Sequence, residues 1–312
     1  MISNKYLPEG SLLRTYENRE YISSLQGLER AMREGKILEA VAQVCDNDTH
    51  TLHLDLGGID GIIEREESML DSEIKDVAII TRVGKSVCFK VLEIVKTENA
   101  KPLVRLSRKE AQRECLSSYL GDLIAGDIIP ARVTHLEPFG AFVDIGCGIS
   151  SLLSVDNISI SRIPHPSERL SVREEIDVII KSIDYESGRV YATIRELLGT
   201  WEENASRFSA GQTVSGIVRS VEDYGIFVEL APNLAGLAEL KEGVVAGQSC
   251  AVYIKSIIPE KMKIKLVIID AYDPPSTKKP LEYFIDTRKN SHLDYWKYSP
   301  DSSKRVIETV FE

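Results

Sequence analysis

The sequence has few cysteines, no long apolar run and no excess of positive charge, and each absence excludes a class of protein. Its five cysteines are scattered and include no C-x-x-C pair that could hold zinc or exchange disulfides. No apolar stretch approaches the roughly 18 residues that cross a bilayer, and the first residues lack a secretory signal. We therefore expect a cytoplasmic protein without membrane association, with buried, reduced thiols, which the apolar runs around Cys88 and Cys250 support.

The balance of charge is negative, with a formal net charge of −10 at pH 7. A protein that clamps duplex DNA by neutralising phosphates depends on massed Lys and Arg, so this class is disfavoured. Any contact with nucleic acid must depend on other chemistry. The length of 312 residues corresponds to two or three domains of roughly 100 to 150 residues each.

Motifs for catalysis and cofactor binding are also absent. The segment Val83-Gly84-Lys85-Ser86 ends like a phosphate-binding loop, but Ile79 stands where that loop needs a glycine. His50 and His53 are three apart on a predicted strand and point to opposite faces, unlike a metal-binding pair. No G-x-S-x-G elbow occurs. We predict no enzyme activity, no metal site and no cofactor.

An internal repeat is the strongest positive feature. AGDIIPARVTHLEPFGAFVDIG begins at Ala125 and AGQTVSGIVRSVEDYGIFVEL begins at Ala210, an offset of 210 − 125 = 85 residues. A weaker copy, EGKILEAVAQVCDNDTHTLHLDLGG, lies upstream and places Gly35 opposite Gly126 and Gly211. Each copy ends in two β-rich runs, such as EIDVIIKSID and RVYATI, so about five strands per copy are expected.

Helical segments are predicted before and between the copies. An N-terminal helix is expected across Asn18 to Glu34, with an apolar stripe at helical spacing formed by Tyr21, Ile22, Leu25, Leu28 and Met32. Ser107 with Glu110, and Thr200 with Glu203, have the spacing of capping boxes that begin linker helices.

The second strand of each copy carries an outward ring next to an acid. Because alternate residues of a strand face opposite sides, Ala141, Val143 and Ile145 are expected inside, with Phe142 and Asp144 outside. The same parity applies to the other two copies. It places Phe227 beside Glu229 outside the third copy and His53 beside Asp55 outside the first.

These rings and nearby cations form a candidate binding surface. Phe139 and Tyr224 precede the outward rings by three residues and would flank them. The last strand of the second copy turns Arg189 and Tyr191 outward, and that of the third copy turns Lys263 and Lys265 outward. Rings for bases beside cations for phosphates are typical of single-strand binders. The alternative is that linkers cover Phe142 and Phe227.

The segments PFGAFVDIG, GISSLLSV and SGRVYATI resemble the RNA-binding domain of bacterial ribosomal protein S1, and the whole chain is similar to short members of that family from Gram-positive anaerobes. The resemblance implies mainly β structure: three tandem five-stranded oligonucleotide-binding (OB-fold) barrels joined by short α-helices. The family's ring pair falls on Phe139 and Phe142, and on Tyr224 and Phe227. Its basic position falls on Arg189, Lys263 and, in the first copy, Leu103, so RNA binding there is not expected.

The resemblance and the repeat together divide the chain into seven parts. These are an N-terminal helical segment (1–34), a degenerate first barrel (35–109), a linker helix (110–123), a second barrel (124–197), a linker helix (198–209), a shortened third barrel (210–270) and an aromatic-rich tail (271–312). The tail opens with DPPSTKKP and is expected to pack on the third barrel or the preceding helix. A role for Trp296 in stacking on RNA or contacting the ribosome is the alternative.

The leading hypothesis is a cytoplasmic, non-enzymatic binder of single-stranded RNA or mRNA that acts in translation, through barrels two and three. By resemblance, barrel one could attach the protein to the small ribosomal subunit. The competing hypothesis is a protein-binding adaptor on the ribosome or a ribonuclease assembly, for which RNA contact is incidental. A regulatory half of an enzyme would require a catalytic domain, and the chain has no room for one.

Overall fold

A computed structural model describes residues 5–70, 75–96, 102–184, 188–273 and 280–311. Their strands close into three five-stranded barrels that follow one another along the chain, as predicted. The chain separates into two compact units. Unit 1 comprises residues up to 123 with 130–132 and 144–150, and unit 2 comprises the remainder. Among the described residues, no helix combines the length and apolarity that crossing a membrane would require.

Barrel 1 follows the predicted alternation. Its strands are β1 (Leu38–Cys45), β2 (Leu52–Asp55), β3 (Asp60–Ile63), β4 (Ser86–Val95) and β5 (Leu103–Ser107). They close in the order β1-β2-β3-β5-β4, and β3 pairs with β5 in parallel. Leu52, Leu54 and Leu56 are buried in the core while His53 and Asp55 are exposed. A strand period of two is thus sufficient to orient this strand.

The single N-terminal helix predicted over Asn18 to Glu34 is wrong, because two helices form there: α1 (Tyr16–Ile22) and α2 (Leu25–Glu34). Ser24 is extended, and its side chain accepts a hydrogen bond from the backbone N–H of Gly27, which begins a new helix. Met32, assigned to the apolar stripe, is exposed. The remaining helices of unit 1 are α3 (Asp76–Ile80) and α4 (Arg108–Ser118).

Barrel 2 consists of β6 (Ile128–Glu137), β7 (Gly140–Asp144), β8 (Ser150–Ser154), β9 (Glu175–Asp184) and β10 (Arg189–Thr193). They close in the order β10-β8-β7-β6-β9, and β8 pairs with β10 in parallel. Barrel 2 is followed by α5 (Trp201–Ala205), a shorter helix than predicted. Thr200 and Glu203 cap it reciprocally, which confirms the capping box.

Barrel 3 consists of β11 (Thr213–Glu222), β12 (Gly225–Ala231), β13 (Leu234–Ala238), β14 (Ser249–Ile258) and β15 (Lys263–Tyr272). Its strands are as long as those of barrel 2 or longer, so the predicted shortening does not affect the barrel wall. The connection between the third and fourth strands is the shortened part. It occupies 239–248 in barrel 3 and 155–174 in barrel 2.

The C-terminal tail belongs to unit 2 and packs on barrel 3, as expected, although most of DPPSTKKP lies outside the described residues. Its short strands β16 (Tyr295–Lys297) and β17 (Glu308–Val310) pair with each other. Trp296 and Tyr298 join Trp201 in the core cluster of barrel 3, while Phe311 packs beside Ile128 of barrel 2. Trp296 is only 6% exposed, so the alternative that it stacks on RNA is wrong.

Candidate nucleic-acid interface

Two ring pairs with the same geometry lie where the turn after the first strand meets the second strand in barrels 2 and 3. The ring centroids of Phe139 and Phe142 are 6.0 Å apart with an interplanar angle of 87°. Those of Tyr224 and Phe227 are 6.1 Å apart at 88°. The first ring of each pair is open to solvent, with Phe139 56% and Tyr224 70% exposed. Each second ring is half-buried, so neither linker covers these rings completely.

Glycine between the two rings permits a close approach to the third strand. A Cβ atom at Gly140 would lie 2.5 Å from the carbonyl oxygen of Leu153. At Gly225 it would lie 2.7 Å from the carbonyl oxygen of Ala238. Any side chain would push the strands apart here, so the glycine sets where the ring-bearing turn sits against the barrel.

The strand register of barrel 3 aligns the second ring with a cation. Phe227 lies opposite Leu237 on β13, and Leu237 lies opposite Lys265 on β15. Residues directly opposite each other share one side of a sheet, so Phe227, Leu237 and Lys265 form one outward row. Lys263 precedes Lys265 by two residues on the same side, and both lysines are exposed.

Barrel 2 has the same arrangement with different side chains. Tyr191 lies opposite Leu152 in the parallel pairing of β10 with β8, which makes Tyr191 the equivalent of Lys265 and Arg189 the equivalent of Lys263. Arg189 is exposed and Tyr191 is half-buried, while Val190 and Ala192 face the core as predicted. In barrels 2 and 3, we call the outward surface of the second, third and fifth strands the aromatic face.

On the corresponding surface of barrel 1, the positive charge is paired with carboxylates. His53 lies opposite Ile62, and Ile62 lies opposite Arg105, so Arg105 takes the place of Tyr191 and Lys265. The Arg105 guanidinium is 2.7 Å from a Glu64 carboxylate oxygen and 3.2 Å from one of Glu93. The basic position predicted from the resemblance falls on Leu103, two residues before Arg105, which was not predicted. The two-residue period of LVRLS would have revealed it.

The prediction that the acids after the rings face solvent is wrong in two of three barrels. Asp144 is 3% and Glu229 is 5% exposed, whereas Asp55 is exposed. Asp144 accepts a hydrogen bond from the backbone N–H of Glu9 at 2.7 Å, and Glu229 accepts one from Arg219 at 2.7 Å and another from Arg169. Segments distant in sequence, which contain Glu9 and Arg169, therefore cover the second strands of barrels 2 and 3 at the acids that follow the rings.

Burial also changes the chemistry of Asp144. Loss of hydration, reinforced by the nearby charge of Glu9, raises the pKa of Asp144 to about 7. Asp144 is a structural element of unit 1, because its carboxyl accepts hydrogen bonds from the backbone N–H groups of Glu9, Gly146 and Gly148.

The histidines and cysteines do not form a metal site in the part of the chain that the structure describes. No group of three or more His, Cys, Asp or Glu residues there is arranged to hold a metal ion. His50 lies 3.9 Å from the Asp76 carboxylate. All five cysteines are free thiols. Four of them are buried as predicted, whereas Cys45 is half-buried.

These barrels and their repeated aromatic faces define a tandem OB-fold protein. Residues 122–195, which span barrel 2, match the S1 RNA binding domain family. The chain is 32% identical over 223 residues to the small ribosomal subunit protein bS1 of Staphylococcus aureus, covering 64% of this chain and 56% of that protein. It is 27% identical over 264 residues to bS1 of Pseudomonas aeruginosa, covering 80% of this chain and 46% of that protein.

Among solved structures, a Streptococcus pneumoniae multidomain protein with nucleic acid binding domains is 15% identical, with a TM-score of 0.23. That match covers 79% of this chain and 76% of the other. The chain is thus similar to ribosomal protein S1-family proteins, and the match to the S1 RNA binding domain lies in barrel 2. It spans less than two thirds of the length of the curated bS1 relatives described above.

Proposed function

We propose that this protein binds single-stranded RNA, including mRNA, on the aromatic faces of barrels 2 and 3 and acts in translation. The observation that carries the proposal is the repeated geometry of two perpendicular rings beside a row that ends in a cation or a tyrosine. Bases are flat and stack on rings, and the cations attract phosphates. The proposed function is binding, without a chemical step.

The negative net charge is compatible with this function because stacking supplies energy that bulk charge does not. Each base stacked on an aromatic side chain contributes about 1 to 3 kcal/mol. Two barrels that each stack one base would gain about 2 to 6 kcal/mol from stacking alone. The local cations then need only position the backbone.

Barrels 2 and 3 are suited to act together because polar contacts connect them within unit 2. Arg169 of barrel 2 donates to Glu229 of barrel 3. Asn233 accepts from the backbone N–H of Ile160 at 2.9 Å and donates to the carbonyl of Gly199 at 2.9 Å. After one barrel binds, the second binds the same RNA at high effective concentration.

Replacement of Phe142 and Phe227 by alanine tests the proposal. With a labelled unstructured RNA and the full chain, loss of about 2 kcal/mol or more of stacking corresponds to at least about 30-fold weaker binding. Tyr16, an exposed tyrosine on α1, supplies the control Tyr16→Ala, which should bind like the parent. Parent-like binding by the double ring variant would refute the proposal.

A second role is proposed for barrel 1: attachment to the small ribosomal subunit rather than to RNA bases. The neutralised Arg105 favours this division of roles, because its charge is already paired with Glu64 and Glu93. Val44→Glu with His53→Glu changes two outward residues that lie opposite each other on β1 and β2. We expect loss of co-sedimentation with the subunit and retention of RNA binding. If co-sedimentation instead depends on Phe142 and Phe227, the adaptor role of barrel 1 is wrong.

A further inference from the structure

The fourth strand of every barrel contains one extra residue at the same place. Pairing with the fifth strand shifts register between Val91 and Glu93 in barrel 1, and across the corresponding steps of barrels 2 and 3. The extra residue at this β-bulge is Leu92 in barrel 1, Lys181 in barrel 2 and Lys255 in barrel 3. A bulge that recurs at the same place in all three barrels is a regular feature of the module, and a bulge changes the direction in which side chains point.

The bulge turns two consecutive residues toward solvent. After Ile180, which is fully buried, Lys181 and Ser182 are both exposed, although a regular strand would direct one of them inward. In barrel 3, Lys255 is exposed and Ser256 is half-buried. The extra residue, Lys181 or Lys255, therefore directly precedes the serine that pairs with the fifth strand.

That neighbour joins the bulge to the aromatic face. Ser182 lies opposite Tyr191, and Ser256 lies opposite Lys265. The row of outward residues thus continues from the ring across the third and fifth strands to the fourth. Along the curved wall of the closed barrel, the bulge lies three strand spacings of about 4.8 Å, or about 14 Å, from the ring-bearing strand. An RNA that contacts both must follow this wall.

We propose that Lys181 and Lys255 form a second cationic position of each aromatic face and bind the phosphodiester backbone of the RNA whose bases stack on the rings. The assignment rests on the proposed function. Lys181 donates to the amide oxygen of Asn157 at 3.1 Å, a neutral partner that positions the ammonium without cancelling its charge. In the described part of the chain, neither lysine forms an ion pair with a carboxylate.

Barrel 1 supports the assignment by contrast. Its bulge carries Leu92, and the next residue is Glu93, which pairs with Arg105 at 3.2 Å. The same backbone feature therefore presents an apolar side chain and a carboxylate where barrels 2 and 3 present lysine and serine. The two barrels with ring pairs are the two with bulge lysines.

The test measures binding of a labelled unstructured RNA to the full chain over a salt series for Lys181→Gln with Lys255→Gln. Each lost phosphate contact reduces the slope of log K against log salt by about 0.7 for a single strand, so the slope should fall by about 1.4. Lys181→Arg with Lys255→Arg keeps both charges and should restore the parent slope. Lys289→Gln with Lys304→Gln, which removes two exposed lysines of the tail, is the charge-matched control.

The outcomes separate this proposal from the proposed function. A slope equal to that of the Lys289 and Lys304 control, together with weak binding by the Phe142 and Phe227 variant, would overturn the assignment of the lysines and leave RNA binding intact. Failure of the parent to bind any unstructured RNA would overturn the proposed function and the lysine site together. A reduced slope that arginine does not restore would indicate a role for the bulge geometry and would overturn a role for its charge.

Discussion

Replacement of Glu9 by alanine is expected to destabilise unit 1 by about 3 to 5 kcal/mol, the cost of breaking a buried ion pair from one side. The Arg108 side chain is only 1% exposed, and its Nε and Nη2 atoms lie 2.7 Å and 3.1 Å from the two carboxylate oxygens of Glu9. Arg82 lies 3.0 Å from the same carboxylate. Without Glu9, the buried charge of Arg108 would lose its ion-pair partner and would remain beside the positive charge of Arg82.

The balance between burial and the two arginine charges also determines how the stability contributed by Glu9 depends on pH. Burial opposes ionisation of Glu9, but the positive charges of Arg108 and Arg82 outweigh it and hold the pKa of Glu9 below its ordinary value. Because the folded-state pKa is lowered, the carboxylate contributes its stability above the ordinary pKa of about 4.3 for glutamate. That contribution is lost as the pH falls through the folded-state value. The difference between parent and variant should therefore be larger above the ordinary pKa of glutamate than below it.

Unfolding in urea measures the effect, with separate signals for the two units. Both tryptophans of the chain, Trp201 and Trp296, lie in unit 2. Their fluorescence follows unit 2, so hydrogen exchange of barrel 1 peptides is needed to follow unit 1. Glu17→Ala is the control, because Glu17 forms an exposed ion pair with Lys36 and should cost no more than about 1 kcal/mol. A Glu9→Ala loss as small as the Glu17→Ala loss would refute the reasoning.

Three further predictions concern other parts of the structure. The folded-state pKa of Asp144 is raised to about 7, so the parent should lose stability as the pH rises from about 4 through 7. In urea unfolding, Asp144→Asn should flatten this decline, and an unchanged pH profile would contradict the prediction. Trp296→Ala should destabilise unit 2 by about 3 to 5 kcal/mol, seen as a lower urea midpoint by circular dichroism, whereas a parent-like midpoint would mean that the tail adds little. Gly225→Ala should reduce the stability of unit 2 by more than about 1 kcal/mol, because its Cβ would lie 2.7 Å from a carbonyl oxygen. It should also weaken RNA binding at Tyr224, and unchanged melting and binding would show that the turn can relax.

The barrels and the ring pairs could be predicted because their signals are local. An aromatic-Gly-x-Phe-Val segment repeated at an offset of 85 residues, with alternating apolar residues, specifies a turn, a strand and the side that each residue faces. The helices were harder to delimit. Ser24 interrupts a continuous helical pattern by capping a new helix, and the apolar stripe gives no sign of that interruption.

The sequence by itself determined three barrel modules, two of them with rings directed outward, because alternation and turn chemistry act between near neighbours. Only the tertiary structure decided what each outward residue meets. It buried Asp144 and Glu229 under segments distant in sequence, paired Arg105 with two carboxylates and aligned Phe227 with Lys265. It also placed the fourth-strand bulges beside the aromatic faces, because register and coverage depend on contacts between strands far apart along the chain.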